Sequence, residues 1–404
     1  MQSLIRVINN IPGLKEGILS TIAMMKKSYM FISNKVIGVK ENKIIFISFN
    51  GRSYSDNPRV ISEKLHELHP EFEIVWLFND PEKKKDIIPD YIRCVKNGSL
   101  RALKELATSK FWIDNFCKPL YIYKSEKQIY VQTWHGDRGF KKILHDSSFA
   151  PPGYKIVETK ICDLAVSGSE YGNMQYTSAF KYDGEILQVG YPRNDILVQN
   201  NRNLANSIKS KLDINIETNI LLYAPTLRRE ASQKKVNQDI GEIDLIEALS
   251  ILEEKTKEKW ICITRAHSAV SGLSGIPMSE KIIDVSLYED MSDLLLVSNM
   301  LITDYSSSAG DFALLNRPII LFQNDRNEYL EKDRTFYFDI EDSPFLVAMN
   351  QQDLIKIIKQ INLNDIENNC KSILNFYGTN ETGKSSEAVI NYLVSKVGGL
   401  SNGR

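Results

Sequence analysis

A histidine follows one of the apolar runs of this 404-residue sequence, in a position suited to proton transfer. His135 stands in the segment QTWHG, residues 132–136, directly after the predicted strand 129–133. A histidine in a loop at the carboxyl end of a strand reaches a cleft, and its imidazole accepts protons near neutral pH. This pattern predicts a general base, and a purely structural histidine is the alternative.

The loop that follows is polar and basic. It carries Asp137, Arg138, Lys141 and Lys142, a set that suits a site facing phosphates or a polyanionic acceptor. We therefore assign these four residues to the acceptor side, with a solvated surface run as the alternative reading of the cations.

Three consecutive hydroxyls mark a second strand end. Asp304 precedes Ser306, Ser307 and Ser308, and Asp311 begins the helical pattern that runs to residue 315. Backbone N–H groups and the positive end of a helix dipole at such a turn suit a phosphate. We therefore assign Asp304, the three serines and Asp311 to the phosphate-binding set. The alternative is a simple helix cap with solvated serines.

Two more strand ends carry cationic and hydroxyl groups. Thr226 and Arg228 follow the run 220–224, while Arg265 and His267 follow the run 260–263. Residues spaced by two point the same way in an extended segment, so Arg265 and His267 favour an anion site. His267 is the second candidate catalytic residue beside His135. Surface polarity is the alternative for each pair, but phosphate-compatible groups at four strand ends in two halves favour one shared site.

These strand ends belong to two similar halves. Short apolar runs, among them 73–78 and 300–303, predict strands and alternate with amphipathic helical patterns from residue 43 onward. The alternation restarts after the polar, asparagine-rich stretch 199–217, which is the candidate linker. This alternation predicts an α/β fold of two Rossmann-like domains that face each other across a cleft. The predicted units are an amphipathic helical segment 1–40, an acceptor-side domain 41–200, a donor-binding domain 201–380, and a C-terminal helix and tail 381–404.

Composition excludes several classes of function. The formal charge of −1 provides no basic field for nucleic acid. The cysteines are odd in number and form no CxxC pair, which argues against a disulfide framework or zinc site; they are Cys94, Cys117, Cys162, Cys262 and Cys370. No acidic cluster has metal-ligand spacing, so we expect neither a metal nor a cofactor.

The N-terminus has two amphipathic patterns separated by Pro12 and Gly13. Leu14, Ile18, Ile22 and Met25 share a helical face that ends at lysines, an arrangement typical of helices in a membrane interface. The uncharged stretch is too short to span a bilayer. A helix packed on the protein's own core is the alternative.

The segment GTNETGKS, residues 378–385, matches the phosphate-loop pattern. That mechanism requires a strand before the loop and a nucleotide-binding domain after it. A polar helical stretch precedes the segment and 19 residues follow it. We therefore predict a turn with Ser385 capping a final helix.

Together these motifs resemble the CDP-glycerol glycerophosphotransferase family of teichoic-acid and capsule synthesis. The resemblance covers about residues 43–397 and rests on QTWHG with the later KK, YAPTxR, RxH, DYSS with Asp311, and ALLNRPIILF. It implies a two-domain glycosyltransferase B fold with the donor nucleotide held mainly in the second half. It also implies that His135 is the catalytic base and that the cytoplasmic membrane face is the place of action. The implied donor site lies around Thr226, Arg228, Arg265, His267, Ser306 and Ser307.

The sequence departs from the family in the loop after His135. Asp137 and Arg138 replace the usual TP, Leu227 replaces an aromatic residue, and Ser268 replaces a proline. The motifs expected to bind phosphate are retained better than the acceptor side. We predict transfer of glycerol phosphate, or another polyol phosphate, from a CDP-activated donor to a lipid-linked or polymeric acceptor. The alternatives are a glycosyltransferase that uses a nucleotide sugar and a non-catalytic scaffold that binds polymer.

Overall fold

The computed structural model describes residues 14–398, except for residue 152, residue 227, residues 229–237, 240–242, 267–272 and 275–278, and residue 334. Within these residues the chain folds into two α/β halves. Each half is built on a parallel sheet.

The first sheet has seven parallel strands in the order β3-β2-β1-β4-β5-β6-β7. Its central strands are continuous apolar runs whose side chains are buried on both faces, as parallel sheets covered by helices require. The strands are β1 (Lys40–Ile47), β2 (Glu73–Phe78), β3 (Arg93–Lys96), β4 (Ser109–Asp114), β5 (Ile129–Gln132), β6 (Leu164–Ser167) and β7 (Glu185–Gln188).

The second sheet has six parallel strands in the order β12-β10-β8-β13-β14-β15, and β9 pairs with β11 beside it. The strands are β8 (Asn219–Tyr223), β9 (Gln238–Asp239), β10 (Trp260–Thr264), β11 (Leu273–Ser274), β12 (Ile282–Asp284), β13 (Met300–Thr303), β14 (Ile319–Phe322) and β15 (Leu346–Ala348). The predicted fold class of two Rossmann-like domains is confirmed.

Helices cover both sheets, and one of them lies within the stretch 199–217 that the sequence predicts as a linker. The α-helices are α1 (Leu14–Ile37), α2 (Asp56–Leu68), α3 (Leu100–Thr108), α4 (Glu158–Ile161), α5 (Glu170–Ser178), α6 (Asp195–Gln199), α7 (Arg202–Lys211), α8 (Leu245–Thr256), α9 (Met291–Val297), α10 (Ser308–Phe312), α11 (Arg326–Lys332), α12 (Gln351–Gln360), α13 (Leu363–Phe376) and α14 (Ser385–Ser395).

The two halves exchange elements across their boundary. The side chains of Val389, Ile390 and Leu393 on α14 pack in the same core as Ile44 of β1, so the last helix belongs to the first domain rather than to a separate terminal unit. In the other direction, Phe140 of the first domain is fully buried in the core of the second. The chain therefore crosses between domains more often than the predicted boundaries assume.

The strand orders place the site. Each sheet reverses its direction of winding beside its central strand, between β1 and β4 in the first sheet and between β8 and β13 in the second. In open α/β sheets, ligands bind at the carboxyl ends of strands at such switch points. The loops after β4, β5, β8 and β13 carry the residues considered next.

Candidate active site

The imidazole of His135 is held in a defined tautomer. Its Nδ1 lies 2.7 Å from the backbone carbonyl oxygen of Asn115, in the loop after β4. A carbonyl only accepts, so Nδ1 carries the hydrogen and donates it. In the neutral ring the lone pair is then on Nε2, the form that a general base requires.

Three aromatic rings surround this imidazole. The ring centroids of Phe49, Phe116 and Trp134 lie 5.3, 6.0 and 4.0 Å from that of His135. Phe116 is nearly parallel to the imidazole, with 15° between the planes. Ring contacts on several sides restrict the orientation of His135 in addition to the hydrogen bond at Nδ1.

The backbone just before His135 is strained. Trp134 has a φ of 49°, an unusual value for a bulky residue. Its N–H donates to Oε1 of Gln132 at 2.9 Å, and its carbonyl accepts from Nδ2 of Asn57 at 3.2 Å. Such strain persists where surrounding contacts hold it in place, and it concentrates at functional sites.

Asn115 fixes the loop that orients the imidazole. Its side chain is fully buried, and its Oδ1 accepts from the backbone N–H of Phe49 at 2.7 Å. The buried ion pair of Lys118 with Asp114, at 2.6 Å, supports the same loop. Although Lys118 opposes the effect, burial raises the pKa of Asp114.

The serine turn, residues 306–308 after β13, lies against the histidine loop, residues 134–140. A Cβ added to Gly136 would stand 2.5 Å from Oγ of Ser307, so glycine allows the two loops to approach this closely. Within the turn, Oγ of Ser308 lies 2.9 Å from Oγ of Ser306. The structure thus brings His135 and the predicted phosphate-binding turn together from opposite domains.

Arg228 lies in the second domain with two carboxylates. Its Nη1 donates to Oδ2 of Asp304 at 2.8 Å, and its Nε donates to Oδ2 of Asp325 at 2.7 Å. The guanidinium also lies over the rings of Tyr305 and Tyr329, at 5.1 and 4.9 Å. Burial disfavours the charged guanidinium and acts to lower the pKa of Arg228. The two carboxylates outweigh this effect and keep that pKa above its ordinary value.

Asp304 has a different role from the predicted one. We assigned it to the phosphate-binding set, but it is buried and its Oδ1 accepts from both the N–H and the Oγ1 of Thr226. A carboxylate also repels phosphate. Asp304 therefore orients Thr226 and Arg228 rather than facing a phosphate itself.

Arg265 directly follows β10, the strand that lies next to β8 in the sheet. Its Nη2 donates to the backbone carbonyls of Tyr288 and Glu289, at 3.3 and 3.2 Å. Burial lowers the pKa of its guanidinium. His267 and Ser268 lie outside the described residues, so the predicted pairing of Arg265 with His267 stays a prediction.

The comparisons with known proteins agree with this geometry. The family described as CDP-Glycerol:Poly(glycerophosphate) glycerophosphotransferase matches residues 28–395. The chain belongs to this family.

Several relatives of this glycerophosphotransferase-family chain are teichoic-acid enzymes. The teichoic acid poly(glycerol phosphate) polymerase of Bacillus subtilis strain 168 is 35% identical, over 91% of this chain and 51% of the relative. The corresponding protein of Staphylococcus epidermidis is 32% identical, over 83% and 48%. This chain thus spans about half the length of those two polymerases. The teichoic acid glycerol-phosphate transferase of Staphylococcus aureus strain NCTC 8325 is 33% identical, over 85% of this chain and 90% of the relative.

A solved structure supports the fold. The wall teichoic acid polymerase TagF, in a histidine-to-asparagine variant, superposes with a TM-score of 0.79 at 28% identity and covers 95% of each chain.

The acceptor-side assignment of Asp137 and Arg138 in this glycerophosphotransferase-family chain is wrong. Both side chains are buried, and the guanidinium of Arg138 is fully enclosed. Asp137 accepts from the N–H of Gly168 and the Oγ of Ser169, at 2.8 and 3.0 Å. Both side chains are therefore engaged by ion pairs and hydrogen bonds within the protein rather than exposed at an acceptor site.

Asp311 is corrected in the same way. It is buried rather than facing a phosphate, and it accepts from Arg138 at 2.5 Å and from Arg193 at 2.7 Å. Burial disfavours the charged carboxylate and acts to raise the pKa of Asp311. The two arginines outweigh this effect and hold that pKa below its ordinary value.

Lys141 and Lys142 belong to a contact between the domains. The backbone of Lys141 bridges Phe336, and the N–H of Lys142 donates to the carbonyl of Thr335 at 2.8 Å. Both lysines are half-buried. Their assignment to the acceptor side stays a prediction.

The phosphate-loop match at residues 378–385 is a turn before α14. The N–H groups of Ser385 and Ser386 donate to the carboxylate of Asp195, at 2.8 and 2.9 Å. The backbone N–H groups at the start of α14 are therefore engaged by a side chain of the protein itself and are not available to bind a phosphate. The residues described in the structure contain no group of three or more potential metal-ligating side chains.

Proposed function

We propose that the protein transfers glycerol phosphate from CDP-glycerol to a hydroxyl of a lipid-linked or polymeric acceptor, in teichoic-acid or capsule synthesis. The observation that carries the proposal is the approach of two loops from opposite domains. The histidine loop presents an imidazole whose Nδ1 is engaged by a carbonyl, and Gly136 of that loop touches Ser307 of the serine turn. Family membership supplies the chemical class of the donor, and a histidine variant of TagF was soaked with CDPG.

The proposed step is an in-line displacement at the phosphorus that bears glycerol. Nε2 of His135 takes the proton of the acceptor hydroxyl, and the acceptor oxygen forms a bond to that phosphorus. The bond from the phosphorus to the bridging oxygen breaks, and CMP leaves with the electron pair. His267, predicted from sequence as a second catalytic residue, is proposed to act at the donor phosphates.

Stabilisation of the developing charge falls to groups of the second domain. Arg228, Arg265 and the serine turn provide fixed cationic and hydroxyl donors at the carboxyl ends of β8, β10 and β13. Donors that are held in place before the reaction stabilise transition-state charge more than mobile ones do. The buried carboxylates of Asp304 and Asp325 hold Arg228 in such a fixed position.

A donor panel tests the proposal. Purified protein is incubated with CDP-glycerol, CDP-ribitol or UDP-sugars together with a synthetic lipid-linked glycerol-phosphate acceptor, and released nucleotide is measured. We expect CMP from a CDP-polyol and no UDP. Release of UDP from a UDP-sugar would identify an ordinary glycosyltransferase. Retention of polymer binding without any turnover would identify a scaffold.

We also propose that α1 attaches the protein peripherally to the inner face of the cell membrane. On one side of this helix, Ile22, Met25, Ile32 and Val36 recur at helical spacing and are exposed. The opposite side packs on the protein, with Met30 fully buried and Asn34 donating to the carbonyl of Ala107. In the part of the chain that the structure describes, no helix has the length and apolar character needed to cross a bilayer.

Vesicle binding tests this placement. Because Met30 is part of the core, substitution is a cleaner test than deletion. A Met25→Glu, Ile32→Glu variant should lose binding to vesicles that contain phosphatidylglycerol. Leu287→Glu is the matched control, because Leu287 is 97% exposed and lies in the second domain. Equal binding by the helix variant and the control would contradict the proposal.

A further inference from the structure

We propose that Asp311, gripped by Arg138 and Arg193, is a positioning residue that sets the distance between the histidine loop and the serine turn. We call Asp311, Arg138, Arg193, Asn194 and Glu381 the clamp. The inference deepens the proposed function and rests on it for its kinetic consequence.

The clamp joins the two domains through buried charges. Asp311 lies on α10 of the second domain, whereas both arginines come from the first. Oδ1 accepts from Nη2 of Arg138 at 2.5 Å, and Oδ2 accepts from Nη2 of Arg193 at 2.7 Å. Each carboxylate oxygen is thus committed to a different arginine, which fixes the rotation of the side chain as well as its distance.

The first-domain side of the clamp reaches the histidine loop on both sides of His135. Arg138 lies three residues after His135 in the same loop. The backbone N–H of Arg193 donates to Oδ1 of Asn57 at 3.1 Å, and Nδ2 of Asn57 donates to the carbonyl of Trp134 at 3.2 Å. A displacement of either arginine is therefore transmitted to the backbone on one side of His135.

The second-domain side reaches the serine turn directly. Asp311 lies three residues after Ser308, in the helix that begins there. Gly310 is so close to Arg138 that an added Cβ would stand 2.6 Å from Cβ of the arginine. The contact of Gly136 with Ser307 is thus held by a second close contact at Gly310.

The phosphate-loop-like segment completes the clamp. Oε1 of Glu381 accepts from Nη2 of Arg138 and from Nδ2 of Asn194, each at 2.8 Å. Nδ2 of Asn194 also donates to Oδ1 of Asp311 at 3.1 Å. The segment that matches a nucleotide-binding motif therefore serves to hold Arg138, through the same nitrogen that donates to Asp311.

Geometry makes this clamp relevant to the reaction. The base belongs to one domain and the proposed phosphate-binding groups belong to the other, so their separation depends on contacts between the domains. A misplacement of about 1 Å lowers a reaction rate by about 100-fold. Replacing Asp311 by Asn removes the charge and leaves an NH₂ group facing one arginine, which breaks one arm of the clamp.

Steady-state kinetics of Asp311→Asn, Arg193→Met and the double variant test the inference. With CDP-glycerol and the synthetic lipid-linked acceptor, each single variant should lower kcat by about 100-fold and leave the KM for CDP-glycerol little changed. Because both residues act through one contact, the double variant should be no slower than the slower single variant. Multiplicative losses, or a rise in KM alone, would overturn the assignment.

Hydrogen exchange provides a readout that needs no activity. In Asp311→Asn, amides of residues 134–140 and 306–311 should both exchange faster, whereas Asp342→Asn, an exposed change in the same domain, should alter neither segment. The ion pairs of Arg59 with Asp290 and Asp293 are a separate contact between the domains and keep the variant assembled. Unchanged exchange in both segments would refute the clamp. Absence of CMP release by the wild-type protein would refute only the proposed function.

Discussion

The glutamate of the clamp predicts an unusual dependence of stability on pH. The side chain of Glu381 is 1% exposed, and the groups facing it are Arg138, Asn194, Asp137 and the backbone N–H of Tyr191. Burial raises the pKa of Glu381 from 4.5 to about 7, against the opposing effect of Arg138. The folded protein therefore binds a proton that the unfolded chain releases.

The sign and size of the change in stability with pH follow from this pKa shift. Between pH 4.5 and about 7 the folded state holds more protons than the unfolded state, so raising the pH removes stability in that window. A shift of this size corresponds to about 3 kcal/mol, of which about 2.5 kcal/mol falls between pH 5 and pH 8. Glu381→Gln has no such proton, so its stability relative to wild type should rise by about 2.5 kcal/mol over the same interval.

Urea unfolding at pH 5 and at pH 8 measures this difference directly. Glu126→Gln, an exposed change in the first domain, is the matched control and should show no pH-dependent gain. Other titrating groups contribute equally to wild type and variant, so they cancel in the comparison. A stability difference between Glu381→Gln and wild type that is the same at pH 5 and at pH 8 would refute the reasoning, because the pKa of Glu381 would then be equal in the folded and unfolded states.

Three further substitutions test how the histidine loop is held. Gly136→Ala should lower kcat by about 100-fold, because its added Cβ would collide with Ser307. Gly398→Ala, which has open space around it, is the control and should leave kcat unchanged. Normal turnover by Gly136→Ala would show that the two loops are farther apart. Gln132→Ala removes the acceptor for the N–H of Trp134 and should lower kcat by about tenfold without changing the KM for CDP-glycerol. A rise in KM alone would show that Gln132 does not act through the positioning of His135. Asn115→Ala leaves the partly buried N–H of Phe49 without its acceptor and should reduce the free energy of unfolding by about 1–3 kcal/mol. An unchanged midpoint in urea titrations would exclude this loss.

Strands that are long, apolar and buried are readable from the sequence. The runs 73–78 and 300–303 were predicted with the bounds that the structure has, because continuous apolar stretches between helical patterns identify parallel strands. The strands β3, β12 and β15 were missed, since each has only three or four residues and is partly exposed. The rule that ligands gather at strand ends predicts a shared site for His135 and the serine turn, and in the structure the loops that carry them lie against each other.

The clamp was not readable in this way. Arg138 and Asp311 are 173 residues apart, and a charged residue in a polar loop is normally exposed, so the sequence predicts that each of them faces a ligand. Asn115 was missed although a signal existed, because it directly follows the apolar run of β4 just as the serine turn follows β13. Asn57, Arg193 and Glu381 carry no such signal, since their partners are brought together only by the tertiary fold.

The central claim is that His135 removes the proton of the acceptor while the second domain holds the donor phosphates. CMP release by His135→Ala, measured with CDP-glycerol and the lipid-linked acceptor, tests it most directly. General-base catalysis predicts a kcat lower by about 10²–10⁴-fold, with binding of CDP unchanged by calorimetry, because the donor groups lie in the other domain. Turnover at the wild-type rate by folded His135→Ala protein would contradict the account.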